Sequence, residues 1–536
     1  MEDFDVFTNE INYTKPFYHK LLKKFVNDSP TIPNGLNYQY GRKLLAEECY
    51  IENNEAECAF HFSEAVSASL RNMALHRDDQ IKVASNNLHK ISSYLKPIEE
   101  LIESHPVSKE QENLLECFSK DIEDVESLMP LLNIIDDSPL HKRYLMFSST
   151  NNVQNLQKIL DELPREWTVV QLTVPYNPNE NLKPLVEHRM EINSIYLTMF
   201  RNDFLDVTNY GSLTVKIPAN VTKEGERPLF MELYSLIEDN YKTIDNAQYL
   251  NNKRMIQNYW SRREDLDLRM KSVINVMENE WLGGFASLLT GKLIDSSLRD
   301  KVAKLLEDTI SDWGFMRLNE KQRILLKNLI CSSPALNSHQ LKSGIRKILT
   351  EHGNTEEVRK ILDISECPNC SKNFSVLHEL CFKCLSKCFE AIHHFSLVDG
   401  IKAFSQAANT VKESDDFAAL KKAKRYPVIL IVDEALDIFP WESLYIINQH
   451  PVSRIENIHF LYYLFKLHEK NIIDGYFITK ADVGRYIINP QKDLERMEKR
   501  MTSFVNYWCP TWKGYSGEPP SPDDYIRYLT EADIFL

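Results

Sequence analysis

Residues 427–433, PVILIVD, set the tightest limit on the fold. Successive aliphatic side chains leave no polar face for water, so a strand made of them must be covered on both sides. That is the position of an interior strand in a parallel sheet, and a proline suits the first residue of such a strand. The chain then alternates: a helix over 455–470, a second strand over 485–488 and a helix over 494–508. Strand and helix in turn predict one parallel sheet with helices on its faces.

Upstream, three short segments rich in β-branched and aromatic residues read as strands: WTVVQLTVP (167–175), SIYLTMF (194–200) and SLTVKIP (212–218). Polar loops separate them, which makes a small mixed α/β unit. Residues 1–140 show apolar residues at helical spacing and no clean internal period, and a helix around 154–163 ends at Pro164. Residues 228–289 read as helical, with shorter helices following to about 350. The expected divisions are a helical region at 1–140, the small α/β unit at 141–225, a helical region at 226–360, a cysteine-rich insert at 361–395 and a C-terminal α/β domain at 396–536. The fold class is α/β with an α-helical N-terminal region.

A chain of 536 residues is too long for one core and implies two to four domains. Its net charge of −14 disfavours a general nucleic-acid role, which needs a basic face to attract phosphates. The first residues, MEDFDVFTNE, lack the basic and apolar regions of a secretory signal, and nothing approaches the roughly 18 apolar residues of a membrane helix. A cytosolic or nuclear protein is expected. Ten cysteines are too sparse for a disulfide scaffold and read as thiols or metal ligands.

Half of those cysteines fall within residues 367–388. Cys367 and Cys370, then Cys381 and Cys384, form a CxxC-x10-CxxC pattern that presents four thiolates for a tetrahedral structural Zn²⁺. Cys388, His378 and His393 are substitutes. A second reading stays open, because Cys381, Cys384 and Cys388 share one helix face as small apolar residues. VILIVDEALD also has the look of a nucleotide-hydrolase strand ending in Asp-Glu. The nearest candidate phosphate loop, Gly284 to Gly291-Lys292-Leu293, has the wrong glycine spacing and no hydroxyl for Mg²⁺. That reading is set aside.

The stretch from 428 to 461 carries the most specific motifs. A buried strand and an acidic residue lead to Pro440-Trp441-Glu442-Ser443, then to Ser453-Arg454 before a helix. Asn489-Pro490, Asp493-Leu494 and a spaced set Trp512, Gly514, Gly517 and Pro520 follow in order. Together with LPREWTVVQLTVP, SIYLTMFRND and WLGGFASLLTGK upstream, these resemble the separases over about residues 163–536. The residues also have a plain reading: Pro440 ends strand pairing, Trp441 anchors against the sheet, and Glu442 and Ser443 cap the chain as it leaves the strand.

The resemblance implies a caspase-like cysteine endopeptidase that cleaves the kleisin subunit of cohesin, after Arg in a Glu-x-x-Arg context, at anaphase. It implies a securin-type inhibitor as partner and residence in cytoplasm and nucleus, on mitotic chromosomes or at the spindle and centrosome. It also implies a large helical superhelix, here either a separate N-terminal polypeptide or lost. The family's catalytic His lies in Gly-His-Gly after a strand that opens on an acidic residue, and its Cys in a later Gly-Cys-Ser-Ser-like motif. Asp533-Ile534-Phe535-Leu536 matches the opening of that strand, and neither motif occurs in the sequence. The expectation is a protease domain represented by its N-terminal part, with no catalytic residue and no catalytic cofactor. The alternative is a non-catalytic isoform or pseudo-protease scaffold that binds securin or substrate. Cys509, His450, His459 and His468 read as structural or surface groups. Residues 356–359, EEVR, fit the family cleavage pattern, as loose patterns do in so charged a chain.

Overall fold

The computed structural model describes residues 15–28, 35–77, 140–148, 150–176, 194–200, 212–218, 228–245, 252–313, 318–351, 380–413 and 423–536, with isolated positions between them that include Cys367 and Cys370. The fold is α/β with an α-helical N-terminal region, made by the helices Lys15–Asp28, Gly35–Ile51 and Glu55–Ala65. Most of 78–139 lies outside the described residues, so the helical expectation there is untested. Two compact units are present, Met1–Leu70 with Phe147–Tyr462 and Arg71–Met146 with Tyr463–Leu536.

The first unit is built on a mixed sheet of order β3-β2-β1-β4-β5. The strands are β1 (Thr168–Thr173), β2 (Ser194–Met199), β3 (Leu213–Pro218), β4 (Val428–Val432) and β5 (Val452–Ile455). β1, β2 and β3 form an antiparallel meander. β4 pairs in parallel with β1 on one side and β5 on the other, with Val170 beside Leu430. Every residue of β1, β2 and β4 is buried, as the unbroken apolar run of β4 requires. The α/β unit at 141–225 and the C-terminal domain at 396–536, separate in the sequence reading, therefore contribute to one sheet.

Helices pack against this sheet, among them Glu55–Ala65 on β3. Asn319 and Asn337 each open a helix, Glu320–Cys331 and Ser338–Leu349, through a reciprocal cap with a glutamine three residues on. A π-helical turn, Met277–Leu282, delivers Trp281 to a cluster with Phe230, Phe439 and Trp441, whose ring centroids lie 4.8 to 5.9 Å apart. Gly284 follows this turn, and a β-carbon there would sit 2.2 Å from Gly344 Cα. Its glycine serves helix crossing, and no phosphate loop is formed.

In the second unit β8 (Gly484–Ile488) pairs in parallel with both β9 (Lys513–Ser516) and β10 (Ile534–Phe535). The helices Glu495–Trp508 and Pro522–Glu531 make the crossovers. A hairpin of β6 (Ile472–Ile473) and β7 (Tyr476–Phe477) turns at Asp474-Gly475, both at positive φ.

One expectation is corrected. β4 and the strand at 485–488 do not share a sheet, because β4 has β1 and β5 on its two edges while β8 lies between β10 and β9. Ser453-Arg454 do precede a helix, as expected, but as part of β5, and the helix expected over 455–470 runs Ile458–His468.

Candidate functional site

β4 and β5 run in parallel, so their C-terminal ends lie together, the usual place for a ligand site in an α/β sheet. Asp433 leaves β4 buried. Its carboxylate accepts from Lys43 Nζ at 2.8 Å, from Val174 N–H at 3.2 Å and from Ala435 N–H at 3.2 Å. Lys43 comes from the helix Gly35–Ile51 and is itself buried. Removal of both charges from water is tolerated because each satisfies the other and backbone donors complete the carboxylate. Asp433 thus ties an N-terminal helix to the sheet.

Arg454, on β5, gathers the loop that leaves β4. Its Nε and Nη2 donate to the two oxygens of Glu442 at 2.9 and 2.6 Å. Nη1 donates to the carbonyl and carboxylate of Asp437 at 2.7 and 2.8 Å, and Nη2 also reaches the Phe439 carbonyl at 3.1 Å. The planar fork suits such bidentate pairing, which an ammonium could not reproduce. Burial works to raise the Glu442 carboxyl, but the bonds and charge of Arg454 outweigh it and hold the group below its ordinary value. The same partners, against burial, raise Arg454. Glu442, which the sequence suggested as a cap of the strand exit, makes an ion pair with Arg454 there. Trp441 is fully buried and donates its Nε1–H to the Leu436 carbonyl at 3.0 Å. Glu278, which the sequence reading overlooked, accepts from the amides of Tyr445 and Ile446 at 3.1 Å each.

The remaining thiol and imidazole candidates fall on other tasks. His450 Nε2 accepts from Gly291 N–H at 3.1 Å; burial and the nearby Arg425 hold it at about 4, so the ring is neutral at pH 7. His459 is buried with Nε2 2.7 Å from Glu64. His468 stands edge-on to Phe477. Cys509 ends the helix Glu495–Trp508, its amide donating to Val505 and its carbonyl accepting from Trp512.

The sulfurs of Cys367, Cys370, Cys381 and Cys384 lie within 4.8 Å of one another, with Cys367 and Cys381 3.8 Å apart. Cys381 caps the helix Phe382–His393 and its amide donates to Cys370 Sγ at 3.2 Å. The Cys384 amide donates to Cys381 and lowers its thiol to about 7, while burial pushes Cys384 up to about 12. Cys388 is outside this group. It lines a cavity of about 190 Å³ with Leu385 and Phe389, and burial pushes its thiol up to about 11. His393 is also outside it, and His378 and residues 356–359 lie outside the described residues.

The family model described as separin, protease domain, matches residues 213–536. The chain belongs to the separin protease-domain family. The matched segment opens at the first residue of β3, so the sheet of this separin domain is extended by β1 and β2 from upstream. The separin of Schizosaccharomyces pombe is 22% identical over 390 residues, 70% of this chain and 18% of that one. The separin of Emericella nidulans is 23% identical over 395 residues, covering 71% and 17%. Mouse separin is 24% identical over 330 residues, covering 60% and 12%. The chain thus spans 12% to 18% of the length of these three separins. A solved Saccharomyces cerevisiae separase–securin complex is similar with a TM-score of 0.47 and 13% identity, over 98% of this chain and 37% of that one.

Proposed function

We propose that the chain serves as part of a separase-like, site-specific cysteine endopeptidase that cuts the kleisin subunit of cohesin and lets sister chromatids part at anaphase. The observation that carries this reading is the separin protease-domain match across residues 213–536. The braced ends of β4 and β5 support it, since a peptide substrate needs rigid strand ends to dock against. Covalent cleavage needs a Cys thiolate and a His within about 2.6–3.2 Å of each other. Neither family motif occurs in residues 1–536. We therefore assign these residues the scaffold and binding surface, with bond cleavage depending on motifs they do not contain. A securin-type inhibitor and the kleisin are the partners on this reading, a separate helical subunit is a further one, and the site of action is nucleus and cytoplasm.

A second reading is a non-catalytic scaffold that binds securin or substrate. Binding of purified protein to securin-type and kleisin segments tests what the two share: retention of neither contradicts both. Kleisin cutting by a chain that carries both motifs supports the enzyme, and binding without cutting by that chain supports the scaffold.

A further inference from the structure

We propose that Cys367, Cys370, Cys381 and Cys384 hold one structural Zn²⁺ that fastens the cysteine-rich insert to the core. The proposal stands apart from the protease reading. Four sulfurs bound at about 2.3 Å to a tetrahedral ion lie about 3.8 Å from one another. Cys367 and Cys381 are at 3.8 Å, and no pair of the four exceeds 4.8 Å. Free thiols are weak hydrogen-bonding partners and have little reason to converge in this way. An amide aimed at a sulfur, as from Cys381 to Cys370, is the usual support of a metal-bound thiolate.

The donor set also selects the ion and its role. Soft thiolates with tetrahedral placement favour zinc over the hard cations that take oxygen ligands. Cys388, one turn beyond Cys384, faces the cavity beside Phe389, so the set closes at four and leaves no open position for chemistry. Cys367 and Cys370 precede the helix Phe382–His393, Cys381 is its N-cap residue and Cys384 lies in its first turn. That helix buries Cys384, Leu385, Cys388 and Phe389 in the main core, against which Cys367, Cys370 and Cys381 also pack. The ion would join Cys367 and Cys370 to a helix anchored in the core, and metal binding would be coupled to folding around the four thiolates.

The test uses the whole chain, purified without a metal-affinity tag or added metal. Mass-spectrometric metal analysis should find about one zinc per chain. Cells grown on cobalt should yield protein with the thiolate-to-metal charge-transfer band of a tetrahedral Co²⁺ site. Cys367→Ser and Cys384→Ser should each lose most of the metal, while Cys388→Ser keeps it. Chelation should expose Lys383 and Lys387 to trypsin, which cuts only where the helix opens. Less than about half a zinc per chain in the unaltered protein, with no charge-transfer band, would overturn the site. Equal metal loss in Cys388→Ser would overturn the ligand assignment. The unaltered protein answers the question even where a variant fails to fold.

Discussion

Arg454 and Glu442 show how a motif was legible in the sequence while its role was not. The order Pro-Trp-Glu-Ser and Ser-Arg could be read directly, but nothing in the spacing says that one residue of the first clamps one of the second. Because the pair is partly exposed, Arg454→Gln should cost only about 1 kcal/mol of global stability. It should show more clearly as faster amide exchange over residues 437–443. The Glu442 carboxyl has its folded value below the ordinary 4.5, so its contribution is complete above that value and is lost as the pH falls through the lower folded one. Amide protection of the loop should therefore fall below about pH 4.5 in the unaltered protein, whereas Glu442→Gln should flatten that dependence. A loop whose protection is unchanged in both variants would contradict the clamp. Asp433 is the harder residue to read, since its partner Lys43 is 390 positions away and no local pattern links them. Lys43→Met leaves a buried carboxylate without its cation and should cost about 3–5 kcal/mol by denaturant titration; Asp433→Asn should cost less.

At the scale of elements, hydrophobic pattern decided what was readable. β1, β2 and β4 stood out as β-branched runs because every residue in them is buried, and β3 because all but Lys216 and Pro218 are. β5 did not, since Val452-Ser453-Arg454-Ile455 is only four residues long and sets two polar residues between two apolar ones, with no strand alternation. The hairpin at Asp474-Gly475 had a strong local signal that was passed over among short strands. Partnership between strands was not legible at all: a buried strand needs neighbours on both edges, and its sequence does not name them. Two packing tests follow. Trp441→Ala should cost about 3–5 kcal/mol, since it removes a fully buried ring that packs on Trp281 and Phe439. Gly284→Ala should lower the melting temperature by an amount equivalent to about 1–3 kcal/mol, because the added methyl meets the Gly344 backbone, which has nowhere to yield. An unchanged melting temperature would show that the crossing is looser than described.

For the molecule as a whole, family membership and α/β class were readable because four ordered motifs and one unbroken apolar strand are hard to satisfy otherwise. The joining of β1 to β4 across some 260 residues was not, because long-range pairing is settled by tertiary packing. The proposed function turns on which parts would carry out chemistry and which would only hold a substrate. The direct measurement is a kleisin-cleavage assay that compares purified residues 1–536 with a chain in which they are followed by a family segment bearing the Gly-His-Gly and Gly-Cys-Ser motifs. The account predicts cleavage after Arg by the longer chain alone, abolished when the cysteine of that added motif is replaced by serine. Cleavage by residues 1–536 on their own, lost on Cys509→Ser, would contradict it and make Cys509 the nucleophile.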